Sequence, residues 1–137
     1  MRGRFLLWGD VAFYLGVLAT AVAVAPHTVY WYSGLALAAI AFPMWIAARV
    51  QLGSSFSFRP EARRLVTTGL YSKIRHPVYL FGTAGALAAF LALQVWPLFW
   101  IMVGLGGITV LRTRREDRVL ADAFGEDYED YRRRTWF

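Results

Sequence analysis

Four apolar runs with almost no charged residues make up most of this 137-residue sequence. A helix needs about 20 mostly apolar residues to cross the hydrocarbon core of a bilayer. The runs cover residues 5–25, 29–52, 78–94 and 97–111. The last two are somewhat short, and we interpret them together as a tight helical hairpin. The pattern predicts an all-α fold, a polytopic transmembrane bundle of about four spans in a single domain, 1–137.

Composition supports this interpretation. Hydrophobic residues make up 58% of the chain and charged residues 18%, against about 45–50% and roughly 25% in soluble domains. The net charge of +6 is concentrated between and beyond the apolar runs, which is typical of membrane-flanking segments and argues against nucleic-acid binding. The chain has no cysteine, which excludes disulfides, thiolate metal sites and a cysteine nucleophile.

The charges also predict a topology. Segments 53–77 and 112–137 are rich in Arg and Lys, as is the start of the chain, whereas the joins at 26–28 and 94–97 have neither. By the positive-inside rule, both termini and the two basic segments are cytoplasmic. We therefore expect a multi-pass protein of the cell's inner membrane with a cytoplasmic C-terminal helix. The alternative for the first run, a signal peptide after Arg2 and Arg4, fits less well because the run is long and leads almost at once into the next.

The turn before the third apolar run carries the first candidate site. Pro77 disfavours helical backbone at His76, so we expect extended backbone just before the third run. Irregular backbone at the membrane boundary must be buried in protein or line a watery cavity. We therefore predict that Tyr71, Arg75, His76 and Tyr79 surround a polar pocket. The alternative is that Arg75 anchors to lipid headgroups and His76 caps the next helix.

A second candidate site follows the fourth apolar run. Arg112 and Glu116 are four residues apart, so on a helix their side chains share a face. They could form a plain salt bridge, or they could face a zwitterionic ligand. In the second case Glu116 suits the ammonium group of the ligand, and Arg112 suits its carboxylate or that of a second substrate.

The polar C-terminal segment contains a periodic apolar stripe, formed by Leu120, Phe124, Tyr128 and Tyr131. Spacings of four, four and three place these residues on one helical face. The stripe indicates either a surface helix resting on the membrane boundary or a lid packed over a cytoplasmic cavity. Gly125 interrupts this helix.

Two weaker signals have simpler explanations. Gly104, Gly106 and Gly107 resemble part of a dinucleotide-binding loop, but they lie in an apolar span with no preceding strand, and close helix packing explains them better. His27 and His76 fall on opposite sides of the predicted membrane. We therefore predict no metal site.

Taken together, the motifs resemble one known family. Their order along the chain is Leu65-Val66-Thr67-x-Gly69-x-Tyr71, Arg75-His76-Pro77-x-Tyr79, an apolar hairpin, Arg112-x3-Glu116 and Phe124-Gly125-x-x-Tyr128-x-x-Tyr131. This order is similar to that of the isoprenylcysteine carboxyl methyltransferases and the related phospholipid N-methyltransferases. The resemblance covers residues 53–134. It departs from the family pattern at Asp117, where a second Glu is usual, and at Gly82, which lies one position late.

The resemblance implies a membrane-embedded enzyme that uses S-adenosylmethionine and releases S-adenosylhomocysteine. It assigns the donor to a set of residues that match the family motif: Leu65, Val66, Tyr71, His76, Pro77, Val78, Tyr79 and Glu116. It assigns the acceptor to Arg112, to which we add Arg75. The catalytic candidates are Arg112, Glu116 and His76.

The implied acceptor is a lipid-like carboxylate, amine or thiol. A carboxylate needs only a cation to hold it, and Arg112 could serve. An amine must lose a proton, for which Glu116 and His76 are the nearest candidates. Two other functions stay open from the sequence: a membrane reductase with a nicotinamide cofactor, and a non-catalytic helical module that binds lipid or a partner protein.

Overall fold

The computed structural model describes residues 2–52 and 65–136, with side chains for residues 9, 11–52 and 65–136. Within these ranges the regular structure is helical, and the strand-like element found there is an isolated parallel bridge between Ile74 and Trp136. The predicted all-α class is confirmed for this part of the chain. Residues 53–64 of the predicted donor-binding segment lie outside the described residues.

Five α-helices follow one another along the described chain: α1 Arg2–Val24, α2 Val29–Leu52, α3 Pro77–Leu93, α4 Trp96–Phe124 and α5 Glu126–Arg134. A short 3-10 helix, Gly69–Ser72, precedes α3. The first three helices begin and end close to the predicted spans. Helix α4 differs, because it continues to Phe124 instead of ending at Leu111. Arg112 is the first charged residue after the apolar run and marks the change from an apolar to a polar surface. The helix itself continues until Gly125 interrupts it.

By length and composition, α2 and α4 are candidate membrane-spanning helices. Val11–Val24 and Pro77–Leu93 are also apolar but shorter. On α4, large apolar side chains such as Trp100, Ile101 and Ile108 are exposed on the surface of the bundle. A continuous exposed apolar face of this kind is unfavourable in water and favourable against lipid.

Helix α3 is the centre of the bundle and packs against α1, α2 and α4. Its buried positions are mostly small residues, including Ala88, Ala89 and Ala92. Small side chains let helix backbones approach closely, which is the usual source of packing energy between helices in lipid. A hydrogen bond of 2.9 Å from the Tyr14 hydroxyl to the Gly82 carbonyl also ties α1 to α3.

The two short joins meet at one end of the bundle. Gln94 ends α3 with a left-handed φ of 59°, and its Oε1 accepts a 2.9 Å hydrogen bond from Thr28 Oγ1. Its Nε2 donates to the Pro26 carbonyl at 2.7 Å. The turn before α3 and the polar half of α4 therefore lie at the other end, which is where the candidate site forms.

We expect Gly34→Ala to destabilise the bundle strongly. A Cβ atom at residue 34 would lie 2.5 Å from the Ala92 nitrogen and 2.7 Å from the Ala88 oxygen. Because both neighbours are backbone atoms, α2 and α3 must separate, and overpacking of this kind costs about 1–3 kcal/mol. Thermal unfolding in detergent measures the effect.

Gly104→Ala on α4 is the matched control. A Cβ atom at residue 104 would meet nothing within 4 Å. Replacing Gly by Ala within a helix raises helix propensity by the same amount in both variants, up to about 1 kcal/mol. We expect an unchanged or slightly higher melting temperature for Gly104→Ala. Equal melting temperatures for the two variants would contradict the close α2–α3 contact.

Candidate active site

The turn before α3 has a defined conformation. The Leu70 amide donates a 2.7 Å hydrogen bond to Gln51 Oε1, which anchors the 3-10 helix to the end of α2. Pro77 is the first residue of α3, and His76 before it is non-helical, with φ −122° and ψ 55°. The absence of helical backbone agrees with the prediction from Pro77, whereas a ψ of 55° falls short of the extended backbone that we expected. His76 occupies the N-cap position, but its side chain makes no capping hydrogen bond.

The His76 ring points instead at Asp117 on α4. His76 is buried, and its Nε2 lies 2.7 Å from Asp117 Oδ1. Arg75 Nη1 pairs with Asp117 Oδ2 at 3.3 Å. The Tyr128 hydroxyl of α5 also donates to Asp117 Oδ1. Three separate elements, the turn, α4 and α5, therefore meet at one carboxylate.

Arg112 and Glu116 meet the turn through Tyr79. The Arg112 guanidinium lies over the Tyr79 ring, with Cζ 5.6 Å from the ring centroid. The Tyr79 side chain interacts with both Glu116 and Arg112, and the Glu116 charge also acts on Tyr71. The structure thus brings the predicted turn and the predicted Arg/Glu pair together at one end of the bundle.

Helix α5 packs over this turn. Tyr128 and Tyr131 are buried, and the Tyr131 hydroxyl donates a 2.7 Å hydrogen bond to the Tyr71 carbonyl. The chain after α5 runs beside the turn, where Trp136 accepts from the Arg75 amide at 3.2 Å and donates to the Lys73 carbonyl at 3.0 Å. Two of the four residues of the predicted stripe, Tyr128 and Tyr131, therefore lie over the candidate site, as in the lid interpretation, whereas Leu120 and Phe124 belong to α4.

The tyrosines around the turn are shifted away from ionisation. Burial, together with the charge of Glu116, raises the pKa of Tyr71 well above its ordinary value. Burial and the hydrogen bond to Asp117 raise the pKa of Tyr128 in the same direction. Burial raises the pKa of Tyr131 to about 12. At physiological pH all three hydroxyls therefore stay protonated and keep donating their hydrogen bonds.

Arg75 has unused bonding capacity. Its Nε is buried and has no hydrogen-bond partner among the residues that the structure describes. Leaving a buried donor unsatisfied costs about 1–3 kcal/mol. An acceptor from a bound ligand would remove this cost.

The remaining predicted donor-binding residues are apolar and border the turn. Leu65 and Val66 are half-buried and lead into the 3-10 helix. Pro77 is fully buried and Val78 half-buried at the start of α3. These four apolar residues flank the charged turn along the chain.

Most of the site lies in a segment of the chain that matches a known protein family. The sequence model of the phospholipid methyltransferase family matches residues 29–127, well over half of the chain and the whole of the site on α3 and α4. The chain belongs to the phospholipid methyltransferase family. This confirms the resemblance seen in the sequence motifs.

A curated relative agrees with this phospholipid methyltransferase assignment. The protein-S-isoprenylcysteine O-methyltransferase of Schizosaccharomyces pombe (strain 972 / ATCC 24843) is 30% identical over 119 residues, which cover 79% of this chain and 48% of the relative. The chain thus spans about half the length of that relative. No solved structure matches the chain.

Sequence reasoning missed the role of two residues of this candidate site. In the sequence, Asp117 is only a replacement for a second Glu, and Tyr128 is only part of the apolar stripe and of the family motif. One signal was available for Asp117: the Arg75 guanidinium needs a counter-charge and the neighbouring His76 ring needs a hydrogen-bond partner, and Asp117 follows Glu116 directly. Which acid they would meet depends on how α4 packs beside the turn.

Proposed function

We propose that this protein is an integral membrane methyltransferase. It moves a methyl group from S-adenosylmethionine to a lipophilic acceptor at the cytoplasmic membrane surface. The observation that carries the proposal is the convergence of Glu116, Tyr79 and the Arg75-His76 turn beneath α5. Family membership supplies the reaction class.

The side chains at the turn fit the methyl donor. Glu116 offers a carboxylate to its ammonium group. Arg75, which we assigned from the sequence to the acceptor, has a buried Nε without a partner among the described residues, and we now propose that this Nε donates to the carboxylate of the methyl donor. The rings of Tyr71 and Tyr79 lie beside this pair and suit a cationic sulfonium. The apolar residues Leu65, Val66, Pro77 and Val78 complete the donor site.

When bound, the donor supplies an electrophilic methyl group. The protein's contribution is to position the two reactants and to exclude water, for which α5 forms the cover. Arg112 holds a carboxylate acceptor and needs no base to do so. With an amine or thiol acceptor, Glu116 or His76 takes the proton.

An apolar cavity supports a lipophilic acceptor. Its volume is about 400 Å³, within the range of small-molecule sites. Helices α2, α3 and α4 line it with Leu37, Ile40, Ala41, Phe81, Ala84, Leu87, Ala88, Leu91 and Phe99. Phe81 follows Tyr79 by two residues, so it lies about 3 Å further along the helix axis and on the other side of α3 from Tyr79. We infer that the hydrocarbon tail of the acceptor lies here and its reactive head at Arg112.

The proposal includes the predicted topology. The single domain crosses the inner membrane four times, through α1, α2, α3 and the apolar half of α4. Both termini, the turn before α3 and the polar half of α4 are cytoplasmic. The common location of the two uncharged joins at the far end of the bundle supports this arrangement.

Calorimetry and label transfer test the proposal. We expect the purified protein in detergent to bind S-adenosylmethionine and S-adenosylhomocysteine but not a nicotinamide cofactor. We also expect label from methyl-labelled donor to enter a lipid extract or a panel of lipophilic acids, amines and thiols. Preferential nicotinamide binding would indicate a reductase, and donor binding with no transfer to any acceptor would indicate a non-catalytic module.

A further inference from the structure

We propose that Asp117 is a positioning residue that couples the docking of α5 to the orientation of His76 and Arg75. Its effect on methyl transfer rests on the function proposed above. The coupling itself is a property of the ligand-free protein. The two parts can therefore be tested separately.

The bonding of the Asp117 carboxylate is divided among three elements. Its Oδ1 lies 2.7 Å from His76 Nε2 and accepts a hydrogen bond from the Tyr128 hydroxyl. Its Oδ2 pairs with Arg75 Nη1 at 3.3 Å. An ionised carboxylate only accepts hydrogen bonds and has sites for about four of them. Asp117 can therefore hold all three groups at once, and loss of its charge affects all three.

These contacts determine how the turn presents its polar groups. A carboxylate at His76 Nε2 keeps a proton on that nitrogen and fixes the plane of the ring. The bond to Arg75 Nη1 fixes the guanidinium, whose Nε is the buried donor without a partner among the described residues. Asp117 thus aims two groups that would face bound ligands, without needing to touch a ligand itself.

A second attachment of α5 provides a way to distinguish this coupling from simple docking of α5 over the turn. The Tyr131 hydroxyl binds the Tyr71 carbonyl and does not involve Asp117. Removing it loosens α5 but leaves the bonds of Asp117 to His76 and Arg75 in place. Removing the Asp117 charge should loosen both α5 and the turn.

The decisive experiment is amide hydrogen exchange on the ligand-free protein in detergent. We expect Asp117→Asn to speed exchange about tenfold or more, both in α5 and in the turn at residues 73–76, because charge-assisted bonds are lost at both. Tyr128→Phe, the milder variant, should act in the same direction with a smaller effect. Tyr131→Phe should speed exchange in α5, and in the turn at most at the Arg75 amide, whose acceptor is the Trp136 carbonyl just beyond α5. Asp122→Asn, an exposed acid on the same helix, should match the wild type.

Kinetics test the consequence for the site. We expect Asp117→Asn to raise the KM for S-adenosylmethionine about tenfold. A change of this size corresponds to the loss of one charge-assisted hydrogen bond between the donor and the groups that Asp117 orients. Asp117→Glu should recover part of this loss because it restores the charge. A merely structural role would lower the amount of folded enzyme and leave KM unchanged.

Two results would overturn the coupling: unchanged exchange at residues 73–76 in Asp117→Asn, or exchange that is accelerated in α5 and throughout residues 73–76 in Tyr131→Phe. An unchanged donor KM in Asp117→Asn would overturn the effect of Asp117 on the donor site. Failure of the wild-type protein to bind the donor would overturn the proposed function instead. In that case the exchange pattern still decides whether Asp117 joins α5 to the turn.

Discussion

Glu116→Gln is expected to weaken S-adenosylmethionine binding roughly 10- to 100-fold, the loss expected when a hydrogen bond between charged groups, worth about 1.5–3 kcal/mol, is removed. Glutamine has nearly the same shape, so the variant removes the negative charge that suits the donor's ammonium group while keeping most of the packing against Tyr79. The dissociation constant from calorimetry in detergent measures the effect. Because the change acts on ground-state binding, KM for the donor should rise with it.

Glu126→Gln provides the control for charge alone. Glu126 is an exposed acid in the first turn of α5, away from the Tyr79 contact. We expect this variant to bind the donor as the wild type does. Wild-type affinity in Glu116→Gln would remove Glu116 from the donor site, whereas equal losses in both variants would point to a general electrostatic effect.

Arg112→Ala is expected to lower kcat/KM for the acceptor about 100-fold, with a smaller change in donor affinity. If Arg112 holds the reactive group of the acceptor, its loss leaves that group misaligned for in-line attack, and small misplacements at a reacting centre cost on the order of 100-fold in rate. Steady-state kinetics with saturating donor and varied acceptor measure this. The prediction applies most directly to a carboxylate acceptor, which needs a cation to hold it.

Two further variants sharpen the test of Arg112. Arg112→Lys keeps the charge but loses the planar group that lies over the Tyr79 ring, so we expect only partial activity. Arg114→Ala removes an exposed arginine two residues further along the same helix and should retain full activity. If Arg112→Ala instead raised the donor dissociation constant as much as Glu116→Gln, Arg112 would belong to the donor site.

These variants address the two halves of the site separately. Glu116 and Arg112 lie one helical turn apart on α4 and both contact Tyr79. One helix face can therefore hold donor and acceptor side by side, with the ring of Tyr79 between the two charges. Weaker donor binding in Glu116→Gln, together with a lower kcat/KM for the acceptor in Arg112→Ala, would support this division.

Much of the helical architecture could be predicted from the sequence. The apolar runs predict the positions of α1, α2 and α3 closely. A helix that is buried in lipid or in the bundle needs apolar residues along its length, and these can be read directly from the sequence. Pro77 indicated the non-helical backbone at His76, since its ring restricts the preceding residue. Gly125, with a φ of +54°, interrupts the terminal helix where the sequence indicated.

Other features did not follow from the apolar runs and motifs. The apolar run ends at Leu111, but α4 continues to Phe124, because charged residues such as Arg112 and Glu116 are good helix formers. The number of membrane crossings stays a prediction. Motif matching also singled out Glu116 and gave Asp117 no role, although Asp117 holds His76.

The sequence by itself determined which segments are helical, where the chain turns, and which side chains share a face of α4. Those properties depend on residues within a few positions of one another. Only the tertiary structure decided that His76 meets Asp117, 41 residues away in the chain, and that α5 closes over them. The physical reason is that such pairings depend on how α4 packs against α3, where a Cβ atom at Gly106 would lie only 3.1 Å from Thr83 Cγ2.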